Sequence, residues 1–531
     1  MTATMSGARA GAANMWRLLV ARAGARALTA FVVPGLEVVR ACGLDLEAVG
    51  LRVVATPRHA SVLLLVGEMP AGLRPAVAVV YAQMARPRAI LAIGTSGAPP
   101  LPAPDVTVTA DQAALVAGVT EVRRIVASGA WSPDAPIFDA PEVQPTEDDM
   151  GGMNHGDMDM GGDKGGMDMG AMDMGGGGMS MVMMTKDLPR SPDGLPMEWV
   201  EAPVGPLFSG LPGGLALSVT LDGDAVAAVT VSSGTLGRGL NATWTGPAAT
   251  LPARLAQLDP LAPVSYRLLA VRALEDAVAV APAVATMTVA ARVGALERER
   301  AVSHLGWLAL FAGLLGDRWL EGRAAALQRA LVRTDDVAAI ERLHGAVGAF
   351  VRRVRHTPYL HRRLAGVGVP HTDDGADPRR TAGFMAGSLP RGPVARAAGR
   401  PDDVRAADPA YRHLDFAPIV RHGNDAWSRL DVRLAELEQS LDLILAAGAV
   451  TMPETLLSTG MGGSGAATVE TPRGAATLRL TVVEGMARAV VVDTPSAHNL
   501  GLVTWVAEGR EVADALAGVA SLDLSPWEMD R

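Results

Sequence analysis

Three short runs near the start of the chain are apolar at almost every position: LRVVAT (51–56), SVLLLVG (61–67) and AILAIG (89–94). Runs of this length without polar alternation read as strands buried on both faces. Between the last two, MPAGLRPAVAVVYAQMARPR (69–88) opens on a Pro/Gly turn and continues as a helix. Buried strands joined by helices predict a parallel α/β sheet within residues 15–140. The pattern then collapses. From 141 to 196 glycine, methionine and aspartate replace any aliphatic period, and such a stretch reads as a flexible linker. A second patterned region spans 197–531. It opens on a strand pair, LALSVTLDGDAVAAVTVSS (215–233), that turns at Asp222-Gly223. Helical spacing runs from about Ala262 to Leu364 and again from Asp425 to Ala447, with a Pro/Gly/Asp-rich stretch, His371 to Pro409, between them. A strand pair in ATLRLTVVEGMARAVVVDTP (476–495) and a short helix close the pattern.

Composition narrows the function classes. Hydrophobic residues make up 49% and aromatics only 4%, so the core is expected to be aliphatic and helix-rich. A net charge of -9 offers no concentrated basic face for phosphates and argues against nucleic acid. Arg17, Arg22 and Arg26 interrupt each apolar run at the N-terminus, which leaves no signal-peptide core, and cytoplasmic residence is expected. The most apolar stretch, Ala301–Gly316, contains Ser303 and His304 and is too short to span a bilayer. Cys42 is the single cysteine, so a disulfide framework is excluded, and a lone thiol of this kind is expected to be a small buried hydrophobe.

Two kinds of candidate chemistry remain. Arg429, Arg433, Glu436 and Gln439 lie three or four residues apart and share one helical face, as do Glu297, Arg300 and His304. Each set suits either a proton path or quinone cavity, or a buried structural ion-pair network. The glycine-rich stretch carries Met153, His155, Met158, Met160, Met167, Met169, Met172 and Met174 among aspartates. Thioethers suit Cu(I), so the tract reads as a soft-metal site or as a passive linker.

The motifs resemble a known pair of subunits. ATPRHASVLLLVG (55–67) and RPAVAVVYAQMARPRAILAIG (74–94) are similar to the cluster-bearing small subunit of complex I and membrane-bound nickel–iron hydrogenases, through Pro57, Arg58, Ala60, Tyr81, Met84, Pro87 and Gly94. The large subunit is resembled in APVGPLFSGLPGG (202–214), GRGLN (237–241), ALERERAVSHLGWLAL (295–310), HGNDAWSRLDVRLAELEQSL (422–441), VETPRG (469–474), AHNL (497–500) and SLDLSPWEMDR (521–531). The departures fall on ligands. Ser96 stands at a cluster-cysteine position. LAQLDPLAP (255–263) and Asp523 to Glu528 stand where hydrogenases carry their cysteine pairs. Phe208 or Pro212, and Pro260, stand where complex I binds the quinone headgroup, with Tyr266 and His304 nearby.

The resemblance implies a flavodoxin-like α/β domain fused to a mainly α-helical domain with small antiparallel sheets, of the hydrogenase large-subunit type. It implies an oxidoreductase-family subunit of the NADH–quinone type, peripheral on the inner face of the cell membrane. Its partners would be sibling peripheral subunits and antiporter-like membrane subunits. No iron–sulfur or nickel–iron centre is expected on this chain, whose role would be coupling or scaffolding. A working quinone site, with Tyr266, His304, Arg429, Arg433 and Glu436 as its candidates, and copper binding through the methionine tract are the alternatives.

Overall fold

The computed structural model describes residues 15–129, 199–232, 244–277, 286–369, 389–452 and 462–529. The methionine tract, with all eight candidate metal ligands from Met153 to Met174, lies outside them, as does GRGLN (237–241).

The first part is an α/β sheet. A helix at 15–26 (α1) leads into β1 (Leu28–Val33), α2 (Leu36–Ala41), β2 (Leu51–Val53), β3 (Val62–Val66), α3 (Arg74–Gln83), β4 (Ala89–Ile93), β5 (Val106–Val108) and α4 (Gln112–Ala127). Every pairing is parallel and the strand order is 2-1-3-4-5, the flavodoxin-like winding. The three apolar runs form β2, β3 and β4. The inner strand β1 was not anticipated, because LTAFVV follows directly on an arginine-punctuated helix. Cys42 departs from expectation: it caps α2 and is exposed, although the next residues, Gly43 and Leu44, are buried.

The second part is mainly helical. Strands β6 (Val200–Val204), β7 (Ala216–Asp222) and β8 (Ala225–Ser232) form an antiparallel sheet that turns where Asp222-Gly223 predicts. After β9 (Gly246–Pro247) come α5 (Pro263–Ala277), α6 (Thr286–Leu314), α7 (Arg318–Val332), α8 (Val337–Arg355), α9 (Pro358–Leu364), α10 (Gly392–Ala397) and α11 (Ala426–Ala447). Strands β10 (Gly463–Thr471), β11 (Gly474–Val483) and β12 (Met486–Asp493) pair antiparallel, with β9 on the edge of β12. Helices α12 (Leu502–Ala507) and α13 (Val512–Ser521) precede a last 3-10 turn at Pro526–Glu528. The main core lies among α6, α7, α8, α11 and α13, around Leu305, Phe311, Val347, Leu434 and Leu441. A second core forms where α5 lies on the β10–β12 sheet. Gly465 permits that approach, since a Cβ there would sit 2.1 Å from the Ala273 carbonyl oxygen.

The two parts meet at the C-terminal ends of β1 and β3. In an open parallel sheet of this order that crevice is where a ligand ordinarily binds. Here it is filled from within the chain. Trp527 packs with Phe31, Val33, Leu63 and Leu65. Glu37, in the first turn of α2, accepts a 2.7 Å hydrogen bond from the Gly213 amide. Gly213 is needed for that contact, because a Cβ would meet the Pro34 carbonyl oxygen at 2.0 Å. At the periphery Arg40 pairs with Glu321 at 3.1 Å, and Arg333 donates to the Gly43 carbonyl at 2.8 Å.

Candidate functional site

Two adjoining clusters of buried charge lie behind this crevice. The nearer is built from the closing motifs. Arg473, in the tight turn between β10 and β11, reaches Asp259 at 2.9 Å and Asp523 at 3.4 Å. Asp523 follows α13 in a left-handed conformation, φ 57°, which aspartate tolerates better than most residues. Arg433 of α11 approaches the other oxygen of Asp523 at 3.7 Å and stacks on the Trp307 ring, 4.2 Å from its centroid. Glu528 is fully buried. It accepts from the Tyr266 hydroxyl at 2.8 Å and from the Ser496 hydroxyl at 2.5 Å, while Thr494 donates to its backbone carbonyl. Ser525, on the same turn, is buried with its hydroxyl oxygen unpartnered.

The deeper cluster centres on Arg396 of α10, which no sequence signal distinguished. Its guanidinium is ringed by Glu436 at 2.7 Å, Glu470 at 2.9 Å and Asp403 at 3.0 Å. Arg405 bridges Asp403 at 2.7 Å and Glu297 at 3.1 Å, and Arg300 approaches Glu297 at 3.3 Å. His304 meets the second oxygen of Glu436 at 2.9 Å. Ser440 and Tyr411 also donate to Glu297, at 2.7 and 2.6 Å.

The helical spacing thus brings Arg433 and Glu436, with Glu297, Arg300 and His304, into one buried network. Arg429 is buried beside them but spends its donors on Ser521 and on the carbonyls of Gly368 and Asn424. Gln439 leaves the network and donates to the Ala417 carbonyl. Tyr266 joins the nearer cluster through Glu528. Asp259, Arg473 and Glu528 were legible as charged residues inside otherwise apolar motifs. Glu470 shares the VETPRG motif with Arg473, whereas Arg396, Asp403 and Arg405 had no such marker in a chain this rich in arginine.

Burial and pairing divide the titratable groups. Burial works against charge on Glu436, but Arg396 and His304 outweigh it and hold the carboxyl well below its ordinary range. Burial likewise opposes the Arg473 charge, and Asp523 and Asp259 overcome it. Burial pushes Arg433 down to about 10 and Arg429 to about 9. Glu528 goes the other way: burial, reinforced by Asp259, pushes it up to about 7 despite Arg473. Glu299 is also pushed up to about 7 by burial, although Ser265 and the amides at the start of α5 donate to it.

A pH dependence follows. Folded Glu299 and Glu528 keep protons that the unfolded chain has released above about pH 4.5, so their contribution is complete below that value. It is lost as pH rises through about 7. Burial raises Glu37 and Glu470 in the same sense. His304 has the opposite sign, because burial lowers its pKa below 6.5 and its contribution grows as pH climbs to that value. Above pH 6.5 the carboxyls dominate. Stability is expected to fall by about 1 to 2 kcal/mol between pH 6.5 and 8, measured by urea unfolding, and Glu299→Gln with Glu528→Gln should flatten that slope. A slope unchanged in both variants would refute the assignment.

The donor set does not fit a nickel–iron centre. Such a site needs soft thiolates, and the positions concerned hold Asp259, Ser525 and Glu528 with an arginine cation already seated between carboxylates. Among the described residues no group of three or more His, Cys, Asp or Glu side chains is arranged to hold a metal ion. The cluster position Ser96 is exposed beyond β4. What the arrangement does is hold charge out of water and, at Glu528, take up or release a proton near neutrality.

The architecture joins a parallel five-stranded sheet to a mainly helical part with small antiparallel sheets. Residues 334–461 match the family described as respiratory-chain NADH dehydrogenase, 49 Kd subunit. The structure is similar to a chain of the membrane-bound sulfane sulfur reductase, an archaeal respiratory membrane complex, with a TM-score of 0.55 and 23% identity. That likeness covers 63% of this chain and 99% of the other, and it is one of fold. No curated protein matches the chain.

Proposed function

We propose that the chain is a peripheral subunit of a complex I-like or hydrogenase-like membrane respiratory complex, one that couples or scaffolds without its own metal–thiolate centre. A natural fusion of a small-subunit-like and a large-subunit-like part accounts for its two folds. The observation that carries this reading is Arg473, clamped by Asp259 and Asp523 where related enzymes hold metal. The guanidinium supplies the positive charge that keeps the closing motif in place, so the shape of a redox module persists without the metal. The family match at residues 334–461 supports the assignment to this kind of complex. Its partners would be other peripheral subunits and antiporter-like membrane subunits.

Iron and acid-labile sulfide assays on anaerobically purified full-length chain test the proposal. Both are expected far below one equivalent per chain. Stoichiometric iron with sulfide would end it.

A further inference from the structure

Among the described residues the large exposed hydrophobics concentrate on α1, where Met15, Trp16, Leu19 and Val20 are 62, 67, 51 and 55% exposed. At 3.6 residues per turn, Leu19, Val20 and Ala23 lie within about 60° of Trp16 and make one continuous apolar stripe. The opposite side is anchored: Ala21 and Ala25 are buried, Leu18 lies against Gly129, and the Ala25 carbonyl accepts from Arg123 at 3.1 Å. The helix therefore already packs on the sheet, and its apolar stripe faces away from it. Arg22 and Arg26 flank the stripe on one side and are exposed, with half-buried Arg17 on the other. Residues 1–36 contain no aspartate or glutamate, in a chain whose net charge is -9.

From this we infer that α1 is an interfacial membrane-binding helix that seats Trp16, Leu19 and Val20 in the headgroup–acyl boundary of an anionic phospholipid bilayer. An exposed apolar face bearing tryptophan, between arginines, is the form such helices take. The local positive charge supplies the complement to acidic headgroups. No described helix is long and apolar enough to cross a membrane, so contact in the plane is the mode this surface offers. The inference rests on the peripheral placement proposed above and names the surface responsible for it.

Co-sedimentation of the full chain with vesicles tests it, using pure phosphatidylcholine and phosphatidylcholine with about a third phosphatidylglycerol. Partitioning is expected to be at least about tenfold stronger on the anionic vesicles and to weaken in high salt, since exposed charges are screened. The variant Trp16→Ser, Leu19→Ser, Val20→Ser should lose it while keeping the parent unfolding midpoint, because the three side chains point away from the core. Undiminished binding by that variant would overturn the assignment of α1 and leave peripheral placement intact. No binding by the parent chain would overturn the lipid inference and leave the proposed function standing, because docking on membrane subunits needs no lipid contact. Loss of co-purifying protein subunits by the variant, with no vesicle binding by the parent, would assign the stripe to a protein partner and overturn the lipid inference.

Discussion

Replacing Arg396 by leucine is expected to unfold the helical part at neutral pH. Three buried carboxylates, Glu436, Glu470 and Asp403, converge on this guanidinium. Removing one partner of a buried pair costs about 3–5 kcal/mol, because the remaining charge stays desolvated and unpaired. The loss here touches three such groups and so approaches the whole stability of a typical domain, about 5–15 kcal/mol. Arg405 still serves Asp403, and His304 still serves Glu436, but Glu470 keeps no cationic side chain in direct contact. Orphaned carboxyls take up protons in the folded state, so the variant should recover stability as pH falls from 8 to 5. Urea midpoints across that range separate this electrostatic cost from lost packing. A pH-independent deficit would mean that the guanidinium matters for its volume instead of its charge.

Arg473→Leu is the second large expectation, at about 3–5 kcal/mol, and its effect should be local before it is global. Asp259 and Asp523 would repel across the vacated space, and Asp523 positions the turn that carries Ser525, Trp527 and Glu528. Hydrogen exchange of the 521–529 peptide should accelerate first, followed by the strand ends at Val33 and Leu65, which share a buried cluster with Trp527. Arg473→Lys keeps the charge but not the planar fork that spans two carboxylates, so an intermediate loss is expected. Exchange in 521–529 that stays at parent rates in both variants would show that the clamp is not what holds the closing motif.

Much of this architecture was written in periodicity. Strands β2, β3 and β4 announced themselves as unbroken apolar runs, and the buried faces of α6 and α11 as charged residues three and four apart. Of the strands that the pattern did not announce, β1 and β10 were hidden for clear physical reasons. β1 has the composition of a strand but no turn signal before it, only the end of a helix. β10 begins Gly-Ser-Gly-Ala-Ala, which resembles a loop, because small residues there let α5 lie directly on the strand. Half of the charge network was equally opaque. A sequence reports that Arg396 is an arginine. It does not report that α10 aims it at carboxylates contributed by α11, β10 and the turn at Asp403. The closing motifs were legible through resemblance, yet that resemblance gave no hint that Arg473 would be held between Asp259 and Asp523.

The place of Trp527 in the cluster on one face of β1 and β3 constrains how the molecule folds. Phe31 and Trp527 share that cluster although they are remote in sequence, so the chain between them must be gathered before the packing stabilises anything. The entropic cost of closing a loop grows only slowly with its length, but contacts this remote slow the approach to the native state. During synthesis the sheet therefore emerges before the tryptophan that completes its apolar cluster. The crevice that in other folds of this winding admits a cofactor is here a seal on the nascent chain. The α/β part reaches its final rigidity only when the closing turn arrives.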